Sequence, residues 1–175
     1  MGNPFTEVGS WPAPPPAGRG ALWLGEGLAS GILAGWATGS DWVALSAHGE
    51  LAAHYGRPFI ALPGGLMGFD DPGAILAVAR QAHEAGAAWL AVPLAGPDES
   101  EGLPLALKLA ELDPVLVAWG LPALAAPLLR RGWRELGRLG VAYDVPFALT
   151  QDCGCGACPT CAGRSRALVA AGVPR

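Results

Sequence analysis

Charge is scarce in this sequence: 15% of its 175 residues are Asp, Glu, Lys or Arg, and the net charge is −4. A chain of that balance does not coat nucleic acid indiscriminately. Cysteine is missing from the first 152 residues, and histidine is limited to His48, His54 and His83. These three are far apart with no partner in the pattern, so they read as surface or core histidines. Neither a phosphate-cradling P-loop nor a dinucleotide glycine fingerprint occurs. Ser46 and His48 lie close together but without the glycines of a nucleophile elbow, which gives a hydrolase little support. A basic and apolar start signal is absent, and the longest uncharged apolar run, residues 114–129, is too short and Pro-broken for a membrane span. The expectation is a cytoplasmic protein with no membrane partner, where reduced thiols favour metal binding over disulfides.

What is present is apolar. Hydrophobic residues make up 51%, enough for one proper core, while 26 Gly and 17 Pro imply short, often punctuated elements. Charge is unevenly spread: residues 1–129 hold four Lys/Arg against twelve Asp/Glu, and residues 130–175 hold seven Arg against three acids. The basic character therefore sits with the cysteines.

Residues 1–19 read as an extended Pro-rich leader, because prolines lack donors for helix or sheet ladders. Continuous apolar runs at 21–24, 42–45, 58–62, 88–92 and 115–119, with 141–143 as a sixth, read as parallel strands covered on both faces. The clearest helix starts at the N-cap Asp71 with Pro72 in its first turn and stops at Gly86; Ile75, Val78, Ala79 and Ala82 share one face. Further helices are expected over 104–112, from Pro122 to Arg131, and over 133–139. The alternation predicts an α/β fold of parallel strands, either an open sheet or a partial or minimal (β/α) barrel, since a full barrel typically takes about 250 residues. The domain plan is a leader at 1–19, an α/β domain at 20–150, and a metal-binding segment at 151–175.

That last segment carries the strongest chemical signal. Cys153, Cys155, Cys158 and Cys161 follow the pattern C-x-C-x2-C-x2-C, with Gly154 and Gly156 between them. Four thiols so close can fold back and offer a tetrahedron of sulfurs to one ion. Glycine supplies the left-handed backbone that such a knuckle needs. Zn(2+) is the default for four thiolates, and the C-x2-C-x2-C part also has the spacing of iron–sulfur ligation. Arg130, Arg134 and Arg138 recur every four residues, and Arg164 and Arg166 follow the knuckle. They suit either phosphate binding or an ordinary solvated face.

From Cys161 the chain reads C-A-G-R-S-R-A-L, which resembles the zinc-site tail C-x3-S-R-A-Y of queuine/archaeosine tRNA-ribosyltransferases, the tRNA-guanine transglycosylases. The stretch G-V-A-Y-D-V-P, residues 140–146, is similar to that family's nucleophile motif and places Asp144 at the nucleophile. Pro63-Gly64-Gly65 and the stretch Leu94-Ala95-Gly96 sit where the family binds its base, although Pro63 replaces a glutamine. The resemblance implies a (β/α) barrel acting in tRNA modification by exchanging guanine for a deazaguanine base. It further implies Asp144 as catalytic residue, Gly64, Gly65 and Gly96 as base-binding and the arginines as tRNA-binding; the family's zinc is held by three cysteines and a later histidine, which has no counterpart here, so the fourth of Cys153, Cys155, Cys158 and Cys161 would take its place. The family's D-S-G-G-F-Q stretch has no counterpart, so a non-catalytic tRNA-binding subunit, as a homodimer or as a heterodimer with a full-length member, stands beside the enzyme. A zinc-stapled α/β domain unrelated to tRNA, or an iron–sulfur protein, remains the alternative.

Overall fold

The computed structural model describes residues 12–63, 69, 71–95, 99–129, 131–151, 155 and 158–173. Five parallel strands alternate with helices: β1 (Gly20–Leu24), α1 (Leu28–Trp36), β2 (Trp42–Ser46), α2 (Glu50–His54), β3 (Phe59–Ala61), α3 (Pro72–Glu84), β4 (Trp89–Ala91), α4 (Glu99–Ala118), β5 (Ala123–Ala125). Two helices follow, α5 (Trp133–Ala142) and α6 (Pro159–Ala170), separated by a short 3-10 turn at Phe147–Leu149. The strand order is β3-β2-β1-β4-β5. The sheet is open, with β3 and β5 at its edges, and the parallel α/β class read from the sequence is the one that forms.

Alternation along β1 builds two cores at once. Leu22 and Leu24 point to the layer of α1, where they meet Ile32, Leu33 and Leu136. Ala21 and Trp23 point to the other side, into Ile75, Val78 and Ala79 of α3 and Leu109 and Leu116 of α4. Both strand faces are therefore buried, which is why β1 and β2 read as unbroken apolar runs. Each fully buried Leu or Ile contributes roughly 1.5–3 kcal/mol relative to exposure. The edge strand β3 is shorter and leaves Phe59 41% exposed.

Helix α3 forms as expected. The Asp71 carboxylate accepts from the backbone N–H of Gly73 and of Ala74, at 3.4 and 3.1 Å, and Gly86 at φ +76° turns the chain out of the helix. Farther on, three expectations are corrected. Residues 115–119, expected as a strand, continue α4 to Ala118, because Leu105, Leu109, Leu112 and Leu116 face inward at helical spacing through Pro114. The helix expected from Pro122 is instead β5, whose Leu124 N–H bonds the Asp113 carboxylate at 2.6 Å and whose Ala125 carbonyl accepts from Val92 at 2.9 Å. Residues 141–143, expected as a sixth strand, close α5.

Helix α5 packs on α1, and α6 packs on α5. A Cβ on Gly137 of α5 would overlap the Ala167 carbonyl of α6, and one on Gly163 of α6 would overlap the Trp133 indole. Gly137 thus lets α5 touch the backbone of α6, and Gly163 makes room for the Trp133 ring. The described part of the Pro-rich leader, from residue 12 on, lies against this same side of the sheet, where the Trp36 indole N–H donates to the Ala13 carbonyl at 2.8 Å.

Candidate metal centre

Helix α6 begins at a thiol. Cys158 is its N-cap, in extended backbone at φ −74° and ψ 162°, and Pro159 occupies the first turn, where a missing N–H costs nothing. The Cys158 Sγ accepts from the Cys161 N–H at 3.5 Å, and the Cys158 N–H in turn points at the Cys155 Sγ at 3.3 Å. Backbone dipoles aimed at sulfur favour the negative thiolate, the form that binds metal. The Cys155 and Cys161 sulfurs stand 3.9 Å apart, and the three Sγ atoms of Cys155, Cys158 and Cys161 all lie within 4.8 Å of one another. A tetrahedral ion with metal–sulfur bonds of about 2.3 Å sets its sulfurs roughly 3.8 Å apart, so this donor set fits a thiolate-bound metal. Cys153 lies outside the described residues.

The knuckle is braced from behind. One turn into α6, Arg164 turns inward and donates to the Phe147 carbonyl at 2.9 Å and the Thr150 carbonyl at 2.5 Å. Thr150 is fully buried, and its methyl packs where Gly31 of α1 leaves room. Arg164 was expected to face phosphate; it serves this internal clamp instead. The segment it holds, Ala148 to Gln151, also walls a crevice of about 210 Å³ beyond the carboxyl ends of β1 and β2. On the opposite wall the His48 Nε2 and Glu26 Oε1 meet at 3.2 Å, each about half exposed. The His48 N–H is fixed by the buried Ser46 Oγ at 3.0 Å. This pair was not legible as a site from residue spacing. Its one signal is position, since both residues immediately follow parallel strands, where α/β folds place their ligands.

The remaining sequence candidates scatter. Asp144 follows α5 at φ +51° rather than ending a strand, and it lies near the Tyr55 hydroxyl rather than at the carboxyl ends of the strands. Burial, and secondarily the charge of Asp144, raise the Tyr55 pKa above its ordinary value. The transglycosylase role expected for Asp144 is therefore withdrawn, because the strand that should present it is a helix end. Arg134 and Arg138 are exposed on α5, and Arg166 is exposed on α6. Arg131 pairs with Glu135 one turn along. Gly64, Gly65, Gly96 and Arg130 fall outside the described residues. Among the described residues, no helix is long and apolar enough to cross a membrane.

No protein-family model matches the chain, and no curated protein matches it. Among solved structures, the U34-tRNA thiolase NcsA from Methanococcus maripaludis with its [4Fe-4S] cluster is similar in fold, with a TM-score of 0.52 at 14% identity. The match covers 86% of this chain and 64% of that one, so the chain spans less than two thirds of its neighbour's length. The likeness to a thiolase, together with the open β3-β2-β1-β4-β5 sheet, overturns the transglycosylase resemblance, and what it shows for this chain is the fold.

Proposed function

We propose that this protein works in tRNA modification and carries a metal on the thiolates of Cys155, Cys158 and Cys161, with Cys153 as the fourth ligand available in sequence. The observation that carries this reading is the convergence of three sulfurs within 4.8 Å at the start of α6. It is supported by a fold similar to that of a tRNA thiolase. A Cys155–Cys161 sulfur separation of 3.9 Å, with Cys158 within 4.8 Å of both, favours a single ion, and zinc is the usual occupant of a closed thiolate site. Zinc would staple the knuckle to α6 and supply no redox chemistry. A second reading, an iron–sulfur cluster, is favoured by the cluster named for the neighbour and by the C-x2-C-x2-C spacing. In either case the residues of this chain do the same work: Arg164 holds the knuckle against the 3-10 turn, and that turn closes one wall of the crevice bearing Glu26 and His48.

The test has two arms. Elemental analysis of the purified protein should find one zinc, or iron with sulfide, per chain, lost when Cys155, Cys158 and Cys161 are replaced by Ser. Nucleoside mass spectrometry of tRNA from cells lacking the protein should show one modified nucleoside depleted and restored by the wild type but not by the triple-Ser variant. A metal-free protein sinks the metal site, and an unchanged nucleoside profile sinks the tRNA role.

A further inference from the structure

Helices α5 and α6 run in the same direction, because Trp133 meets Gly163 and, four residues on, Gly137 meets Ala167. Each further residue turns about 100° around a helix, so the residues flanking this contact row fall to one side of the two-helix layer or the other. The inner side is fixed by burial. Leu136, just before the row on α5, is 1% exposed, and Leu168 and Arg164, just after it on α6, pack inward. The opposite flanks must then share the outer side. These are Arg134 and Arg138, just after the row on α5, and Arg166, just before it on α6, and all three are exposed. They come together because Gly137 lets α5 approach the Ala167 backbone and Gly163 receives the Trp133 ring, which draws the two helices close.

Among the described residues no carboxylate pairs with this face. The only carboxylate within α5 or α6 is Glu135, and Arg131 holds it. Among the described residues no ion pair involves Arg134, Arg138 or Arg166. Arg134 and Arg138 are about 6 Å apart along α5, and Arg166 stands across the groove at the 8–10 Å spacing of packed helices or less. Arg166 lies about 7.5 Å along α6 from Cys161, at 1.5 Å per residue. In a chain of net charge −4, three exposed guanidiniums on one face of α5 and α6, with no ion pair among the described residues, are a local exception. Guanidinium forks suit phosphate oxygens, and a short row of them suits a phosphate chain.

We propose that Arg134, Arg138 and Arg166 form the surface on which an RNA phosphate backbone docks, holding it next to the cysteine knuckle. This rests on the tRNA reading above and replaces the sequence-derived stripe, since Arg131 and Arg164 are engaged within the protein. The metal-loaded protein and a variant with Arg134→Gln, Arg138→Gln and Arg166→Gln are titrated with bulk tRNA over a range of salt. Loss of three phosphate contacts should lower the slope of log affinity against log salt by about 2 to 3 and weaken binding roughly tenfold or more at low salt. Arg80→Gln, an exposed change on α3, should alter neither. Equal circular dichroism and metal content in the variants keep the comparison clean. An unchanged slope in the triple variant overturns the proposal. So does tighter binding of the wild type to polyglutamate than to tRNA, which would assign the face to an acidic protein. A tRNA slope that falls as expected, with nucleosides unaffected by cysteine loss, leaves the docking face standing and removes the modification role; the converse removes only the face.

Discussion

Replacing Gly137 with Ala sets two opposing effects against each other, and the structure decides which wins. Ala is favoured over Gly inside a helix by about 1 kcal/mol, so a solvent-facing Gly137 would give a more stable protein on substitution. Here the new methyl meets the backbone of Ala167, with the carbonyl carbon at 2.8 Å and the Cα at 3.1 Å. A backbone group cannot rotate aside as a side-chain tip can. Helix α6 must withdraw by about 0.7 Å or more to restore an ordinary carbon–carbon separation near 3.5 Å. Overpacking of this kind typically costs about 1–3 kcal/mol, leaving a net destabilisation of about 1 kcal/mol, or roughly 2–4 °C in the melting midpoint for a chain of this size. Because the strain falls between α5 and α6, faster hydrogen exchange should be concentrated in α6. Gly39→Ala is the control, since its Cβ meets nothing within 4 Å and its substitution should be neutral or slightly stabilising. A Gly137→Ala protein that melts at or above the wild type with α6 amides fully protected would show that the two backbones do not touch there.

Three further outcomes are expected. Asp71→Ala removes the acceptor for the Gly73 and Ala74 N–H groups and should cost about 1 kcal/mol by denaturant unfolding, with Asp71→Ser recovering most of it. Arg164→Ala leaves the Phe147 and Thr150 carbonyls without their charged donor, at a cost of about 1.5–3 kcal/mol, and should weaken metal retention in a chelator competition; retention equal to wild type would break the link between clamp and knuckle. Tyr55 should ionise above 10.0 in a tyrosinate absorbance titration, by burial first and Asp144 second, and Asp144→Asn should bring its midpoint down. A raised folded-state pKa means the unfolded chain loses its proton first. The stability tied to Tyr55 is therefore complete below pH 10 and declines as pH rises through the folded value.

Asp71-Pro72 and Gly86 marked α3 to the residue because capping and stop signals are local chemistry. The unbroken apolar runs of β1, β2 and β4 marked a doubly covered parallel sheet, since only strands buried on both faces lack a polar alternation. The cysteine spacing marked the clustering of thiols for the same local reason. Residues 115–125 and 141–143 were different. Val and Trp at 115–119 favour a strand by composition, but Leu116 is buried in the α3–α4 layer and tertiary packing keeps the helix going through Pro114. Ala123–Ala125 has weak strand preference, yet it pairs with β4 because that edge offers unpaired backbone groups. Short motifs around Asp144 and Ser165 suggested a family whose sheet closes into a barrel, and motifs of that length do not specify strand order. Sequence alone thus determined the caps, the parallel class and the clustering of thiols, all of which depend on near neighbours along the chain. Only the tertiary structure decided that the sheet stays open, that Arg164 turns inward while Arg166 turns out to join Arg134 and Arg138, and that Glu26 meets His48. Each of these depends on which distant segments pack together, here through Gly137 against Ala167, through Gly163 against the Trp133 ring and through the register of β1 beside β2.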